Sequence, residues 1–293
     1  MKTTTPHRSA RVAVVTGASR GAGKGIALAL GAAGLTVYVT GRSQREGDSA
    51  LPGSVQATAD AVTQAGGRGI AVICNHADDG QVAALFGRVQ LEQGRLDVLV
   101  NNACAIPDEL TQPGPFWQKP LHMLDLLGVG MRSHYVASWH AARLMAAQGS
   151  GLIVHTSSYG SVCYMHGPAY GAGKAAVDKM AHDMAIDLRP HGVAVLSLWM
   201  GLLRTERTER ALQDPERARK YAASVAHMES PQFPGRVIAA LLDDPALMER
   251  SGQVCIDAEL ALELRVSDID GRQPPSYRNA LGAPPVYSRA IVE

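Results

Sequence analysis

The sequence is poor in cysteine, aromatic residues and net charge, and it has no long apolar run. Its four cysteines, Cys74, Cys104, Cys163 and Cys255, stand far apart, with no C-x-x-C spacing. That spacing argues against a zinc site or a disulfide framework. No metal is expected, and a reducing, cytoplasmic compartment fits. Formal net charge is only +1, from 28 basic and 27 acidic residues, so bulk charge points to neither nucleic acid nor a membrane surface as partner. No stretch approaches the roughly 18 apolar residues of a membrane span. The apolar run Val12–Val15 is too short for the core of a signal peptide and leads straight into a glycine-rich loop. Aromatic residues make up 5% of the chain, whereas glycine is frequent, at 30 of 293 residues. Frequent glycine means tight turns and close backbone approaches, as in α/β folds.

What is present is a rhythm. Seven short, β-branched, apolar runs read as buried parallel strands, at 11–16, 35–40, 69–74, 96–101, 151–157, 192–199 and 252–258. Helical patterns lie between them, at about 22–33, 54–65, 79–93, 121–147, 170–189 and 234–243. Strand and helix alternating in this way predict a Rossmann-type, doubly wound α/β fold with a seven-stranded parallel sheet and helices on both faces. One domain is expected over 1–293, with a polar tail at 1–10 and an extended, proline-bearing tail at about 265–293. Residues 102–120 and 200–230 leave from the carboxyl ends of strands, where ligands sit in such sheets. They are expected to form a pocket wall and a lid over a substrate.

The first motif is "TGASRGAGKGIA", residues 16–27. It follows a strand and opens a helix, so backbone N–H groups and the helix dipole converge on one spot suited to phosphate. The strict G-x-G-x-x-G fingerprint fails, because Ile26 stands six positions on from Gly21. The spacing present is T-G-x-x-x-G-x-G, from Thr16 to Gly23. It resembles the signature of the short-chain dehydrogenase/reductase family. That resemblance implies a cofactor cradle of Gly17, Ser19, Arg20, Gly21, Ala22 and Gly23. At the end of the second strand, Gly41 stands where an NAD site wants an acid, and Arg42 follows. A guanidinium without a competing carboxylate suits a 2′-phosphate. Arg20 faces the same corner in the family pattern, so NADP(H) is expected over NAD(H).

Other positions follow from the same resemblance. Asn75 and His76 occupy the place that touches adenine, Asn75 as a hydrogen-bond acceptor and His76 as a rim residue. "NNAC" (101–104) resembles the family's N-N-A-G, with Asn101 as a brace, Asn102 and Ala103 beside the cofactor, and Cys104 as a packed thiol near the pocket. "WMGLLRT" (199–205) stands against the family's P-G-x-x-x-T. Gly201, Leu203 and Thr205 are expected to pass the nicotinamide. Met200 removes the proline that fixes the turn, which predicts a more mobile segment and an apolar surface at the pocket.

The candidate catalytic set is Ser157, Tyr170 and Lys174. Tyr and Lys at i and i+4 share one helix face. A Y-x-x-x-K match alone is weak, since roughly one chain in six of this composition has one by chance. Here it opens a helix after a strand ending in "TSS", and Ser157 lies 13 residues before Tyr170, the spacing seen in the family. Ser158 is the neighbouring alternative, and strand alternation points it the other way. Hydride transfer to a carbonyl builds charge on its oxygen, which needs a hydrogen-bonding group and a proton donor. A nearby lysine cation favours the tyrosinate form of the donor, and the resemblance has Lys174 also bind the nicotinamide ribose.

Segments 170–206, 230–245 and 268–278 resemble the branch of this family typified by dehydrogenase/reductase family member 1. Its members mostly reduce carbonyls or oxidise alcohols with NADP(H) or NAD(H). The usual Asn in the helix before the serine strand is replaced by Gly130, so a backbone carbonyl or an extra water is expected to complete the proton relay. The expected function is a carbonyl reductase or alcohol dehydrogenase (EC 1.1.1.-) acting on a small molecule, with His166 on the substrate side. The alternatives are a redox-neutral enzyme of the family or a catalytically inactive NADP-binding sensor or scaffold. The family resemblance also implies a homodimer or homotetramer pairing through helices 121–147 and 170–189.

Overall fold

The computed structural model describes residues 11–292, so the expected tail at 1–10 lies outside the described residues. Seven strands form one sheet: β1 (Val12–Val15), β2 (Thr36–Gly41), β3 (Arg68–Ile73), β4 (Val98–Asn101), β5 (Gly151–Ser157), β6 (Val193–Trp199) and β7 (Val254–Ile256). Their order is β3-β2-β1-β4-β5-β6-β7, and every pair is parallel. The chain reverses its direction of winding between β1 and β4. A ligand crevice opens at such a point, beyond the carboxyl ends of the strands.

Alternation along each strand builds two cores. Ala13, Val15, Val37 and Val39 face one side, beneath α1 (Gly21–Ala32), α2 (Val55–Gln64) and α9 (Phe233–Leu241). Val12, Val14 and Tyr38 face the other, beneath α3 (Asp79–Gln93), α5 (Ser133–Gln148) and α6 (Pro168–Leu188). Each fully buried Val or Leu contributes about 1.5–3 kcal/mol of transfer free energy, so a sheet covered on both faces needs unbroken apolar runs.

The single helix expected over 121–147 is broken. A 3-10 turn at 121–124 and α4 (Asp125–Leu127) lead into a wide turn at 128–132, and only then does α5 begin. Val129 (φ −115°, ψ 100°) and Gly130 (φ 137°) lie outside helical geometry. The freed groups find new partners: the Ala105 N–H donates to the Val129 carbonyl at 2.7 Å, and the Gly130 N–H to Ser133 Oγ at 3.1 Å. The lid region holds α7 (Glu206–Ala211) and α8 (Pro215–Val225). After α10 (Leu247–Arg250), β7 ends sooner than its pattern suggests, because Asp257 opens α11 (Asp257–Glu263). The tail is extended apart from α12 (Arg278–Leu281), and it returns along α6. There the Tyr287 ring lies 5.0 Å from His182 and 5.8 Å from Lys179 Nζ. Among the described residues no helix is long and apolar enough to cross a membrane.

Candidate active site

The glycine loop closes over the end of β1. Gly17 takes φ +65°, and a Cβ there would sit 2.7 Å from Ala103 Cα. A Cβ on Gly23 would meet the Gly17 carbonyl oxygen at 2.4 Å. No other residue fits at these two positions without moving the backbone. The loop is tied to the strand behind it. The Asn102 and Ala103 N–H groups donate to Thr16 Oγ1 at 2.8 and 2.9 Å, and the Asn102 amide donates to the Thr16 and Gly17 carbonyls. The result is a fixed concave surface at the N-terminus of α1, with Ser19, Arg20, Gly21 and Ala22 along its rim, of the shape and polarity that fits a dinucleotide phosphate.

The catalytic candidates converge 13 and 17 residues beyond the end of β5. Tyr170 and Lys174 lie on one face of α6, with Lys174 Nζ 5.7 Å from the Tyr170 ring centroid. Lys174 is buried and donates to the Thr156 carbonyl at 3.0 Å, which aims its ammonium group along the strand end. The hydroxyl beside the Tyr170 phenol belongs to Ser158, at 2.9 Å. Ser157, the expected partner, instead lies against the Lys174 carbonyl at 3.5 Å and faces Asp178. Alternation does set the two serines on opposite sides, but the Tyr170 hydroxyl lies on Ser158's side. Ser158 also caps the following turn by accepting the Gly160 N–H at 3.2 Å, which fixes its rotamer. His166, in left-handed backbone (φ 61°), stands edge-on to the Tyr170 ring at 5.1 Å.

Residues 11–216 match the family model described as short chain dehydrogenase. The chain is a short-chain dehydrogenase/reductase. It is 42% identical over 277 residues to dehydrogenase/reductase SDR family member 1 of Homo sapiens, covering 91% of this chain and 86% of the relative. It is 32% identical to a 3-oxoacyl-[acyl-carrier-protein] reductase of Synechocystis over 84% of this chain and 94% of that one. A crystal structure of a putative NAD(P)-dependent gluconate 5-dehydrogenase from Beutenbergia cavernae, with bound NADP, is similar at a TM-score of 0.72 and 30% identity, covering 84% of this chain and 94% of that one. The protein is thus an NAD(P)-dependent oxidoreductase.

This family member departs from the expected pattern at several points. His76, expected at the rim, is buried and hydrogen-bonds Thr40 Oγ1 through Nε2 at 2.8 Å. Burial pushes its imidazole down to about 4, so it is a neutral brace between strands. Asn75 already uses its side-chain carbonyl to accept the Ala77 N–H at 3.2 Å. Asn101 braces α5 through Ser138 at 2.9 Å. Burial raises the Cys104 thiol above its ordinary range, and its Sγ donates to the Ala105 carbonyl, which makes it an unreactive thiol.

Sequence reasoning missed several neighbours. The Arg20 guanidinium is held by three neutral acceptors: Ser43 Oγ at 3.0 Å, the Gly53 carbonyl at 2.8 Å and the Pro52 carbonyl at 3.0 Å. These bonds orient its charge without cancelling it. Arg42 is exposed at the same corner, close enough to act on Arg20 electrostatically. An acid does stand nearby, Glu46, with its carboxylate engaged by the Gly53 N–H. A second acid, Glu206, accepts the Gly21 N–H at 2.8 Å, on the cradle itself. No strand-end pattern signals either acid, because Glu46 arrives from a loop and Glu206 from the first turn of α7.

The 200–205 segment is pinned where looseness was expected. The Met200 N–H, which proline lacks, donates to the Ser157 carbonyl at 3.4 Å and prolongs the β5–β6 pairing. Leu203 is buried, and Thr205 Oγ1 caps α7 by accepting the Thr208 N–H.

Proposed function

We propose that the protein interconverts a carbonyl compound and an alcohol using NADP(H), with Tyr170 as the acid/base. The single observation that carries this reading is the meeting of Ser158 Oγ, the Tyr170 hydroxyl and buried Lys174 beside the glycine cradle. The cradle would hold the cofactor's pyrophosphate, Lys174 its nicotinamide ribose, and Arg42 with Arg20 and Ser43 a 2′-phosphate. When bound, the nicotinamide supplies or accepts the hydride. The chain's own work is then local. Ser158 holds the substrate oxygen by a hydrogen bond, and Tyr170 gives that oxygen its proton in reduction or takes it in oxidation. Lys174 places its ammonium group 5.7 Å from the phenol ring centroid, where it would stabilise negative charge that develops on the reacting oxygens. A cavity of about 10 Å³ lies between Gly130, Cys104, Tyr170 and Lys174. That is close to the smallest space that holds one water, and it is the route by which Lys174 would exchange a proton near Gly130.

The bound NADP of the Beutenbergia cavernae enzyme supports the cofactor assignment. Cys104, His166 and Met200 would border the substrate, and Leu110, packed with Cys104 and Tyr170, favours a hydrophobic carbonyl compound. Pairing of two copies would use exposed Tyr135 and Trp139 of α5, since Tyr287 already rests on part of α6.

The test is NADPH oxidation with a panel of ketones by wild type and Tyr170→Phe, with NADPH and NADH affinity measured for Arg42→Asp. Equal, nonzero rates in the first pair would overturn the mechanism. Equal losses of both cofactors in Arg42→Asp would remove Arg42 from the phosphate site.

A further inference from the structure

A pair of buried carboxyl groups stands behind the 200–205 segment with no base between them. Glu229 and Asp257 are 1% and 0% exposed. Glu229 Oε2 accepts the Gly201 N–H at 3.1 Å. The backbone of Glu229 clasps the same segment from the other side: its N–H donates to the Leu202 carbonyl and its carbonyl accepts the Arg204 N–H, both at 2.9 Å. Leu203 and Glu229 form a parallel bridge. The contact is close enough that a Cβ on Gly201 would lie 2.2 Å from Glu229 Oε1. One residue, by side chain and backbone together, therefore holds Gly201, Leu202 and Arg204 of the turn that proline would otherwise stiffen.

The remaining oxygens have no donor among the described residues. Glu229 Oε1 and Asp257 Oδ2 are both buried and unpartnered, although the two carboxyl groups face one another. Two carboxylates in contact in a buried site cannot both be ionised at modest cost, and a shared proton satisfies both orphaned atoms at once. Asp257 Oδ1 is fixed by the Ala258 N–H at 2.7 Å, which leaves Oδ2 for Glu229. The other titratable groups facing the pair are Asp268, Tyr277 and, toward Asp257, Tyr159. Asp268 is occupied by Ser230, and Tyr159 by the Tyr277 N–H, while the Tyr277 hydroxyl is itself unpartnered. Burial, and then the neighbouring acid, raise Glu229 well above the carboxylate range, and burial raises Asp257.

We propose that Glu229 is the positioning residue that fixes the segment Met200–Thr205, and that the proton it shares with Asp257 lets this clamp open at alkaline pH. The inference rests on the reading that this segment borders the nicotinamide half of NADP(H). When the shared proton leaves, two charges face each other across the pair. The Gly201 N–H on its own favours a charged Glu229, so it is repulsion from Asp257 that moves the carboxylate off its anchor. Because the folded-state values are raised, the pair's support is complete at low pH and fades as pH rises through them.

Three proteins test this: wild type, Glu229→Gln and Glu229→Ala. Glutamine keeps an oxygen for Gly201 and offers its amide N–H to Asp257, but it does not titrate. NADPH and 2′,5′-ADP affinities are measured at about pH 7 and about pH 9.5, with amide hydrogen exchange at 201–204 in the unliganded proteins. The expectation for wild type is an NADPH affinity about fivefold weaker at the higher pH, with Glu229→Gln nearly flat and Glu229→Ala weak at both. Binding of 2′,5′-ADP, which lacks the nicotinamide half, should follow one common profile. At about pH 7, exchange at 201–204 should be faster in Glu229→Ala alone; at about pH 9.5 wild type should join it, while Glu229→Gln should not. A shared pH profile for wild type and Glu229→Gln, or unchanged exchange in Glu229→Ala, overturns the proposal. If no form binds NADPH, the cofactor reading fails while exchange still decides the clamp. If Glu229→Ala does not fold, the pH profile of the glutamine variant decides it.

Discussion

Ser158 Oγ stands 2.9 Å from the Tyr170 hydroxyl, whereas Ser157 Oγ, one residue earlier, turns to the Lys174 carbonyl at 3.5 Å. Adjacent serines thus serve opposite faces of the strand end. Ser158→Ala should lower kcat by about 10²–10³-fold, the scale of losing one hydrogen-bond donor to a developing oxyanion. Ser157→Ala should keep kcat within a few-fold and lose about 1 kcal/mol of stability. Steady-state kinetics and chemical denaturation of both variants check this, and a larger kcat loss in Ser157→Ala would reverse the assignment.

Glu206 places a carboxylate on the Gly21 N–H, at a surface shaped for phosphate. Removing that charge should help an anion bind. A partly exposed charge at such range is worth about 1 kcal/mol, so Glu206→Gln should tighten NADPH binding about fivefold. Titration calorimetry reads the result. Unchanged or weaker binding would mean that the carboxylate does not compete for the cradle.

Acid should destabilise the fold through buried imidazoles. Burial pushes His76 down to about 4 and His155 to about 3, and holds His134 well below its ordinary value. Each folded-state value lies below the unfolded one of about 6.5, so the stability due to the neutral rings is complete above that pH and is lost as pH falls toward the folded values. At about pH 5, His76 and His155 should each cost about 2 kcal/mol relative to pH 7. Urea unfolding at the two pH values measures this, and identical midpoints would show that the rings are not held neutral.

Gly130 and Cys104 are expected to behave as a coupled pair. Gly130 has φ +137°, and a Cβ there would approach Cys104 Sγ to 3.0 Å. Restoring the family's asparagine by Gly130→Asn should cost about 2 kcal/mol through strain and crowding. Adding Cys104→Gly should recover about 1 kcal/mol of that, a coupling that a double-mutant cycle in thermal denaturation would reveal. Additive losses would mean that the thiol does not limit position 130.

The sheet was legible because doubly buried strands need unbroken apolar runs, and β5 fell on its expected bounds of 151–157. The cradle was legible because a strand, a glycine spacing and a helix must follow in that order. What spacing cannot carry is the direction in which a strand leaves its last residue, and so the family's 13-residue spacing favoured Ser157 over Ser158. The helical reading of 121–147 failed at Val129 and Gly130, where the Ala105 N–H from a distant loop takes over a helical carbonyl. Glu206 and Glu229 were invisible for the same reason. Both act on backbone N–H groups far away in sequence, and no local pattern encodes an acceptor for them.

Tyr287 rests on His182 and Lys179, along the same helix that presents Lys174. Eight residues of α-helix separate Lys174 from His182, roughly 12 Å. The carboxyl end of the chain is therefore no neutral place for an affinity tag or a fluorescent fusion. A label there would pull on a segment seated against α6, and cleavage near residue 282 would strip the cover from one side of that helix.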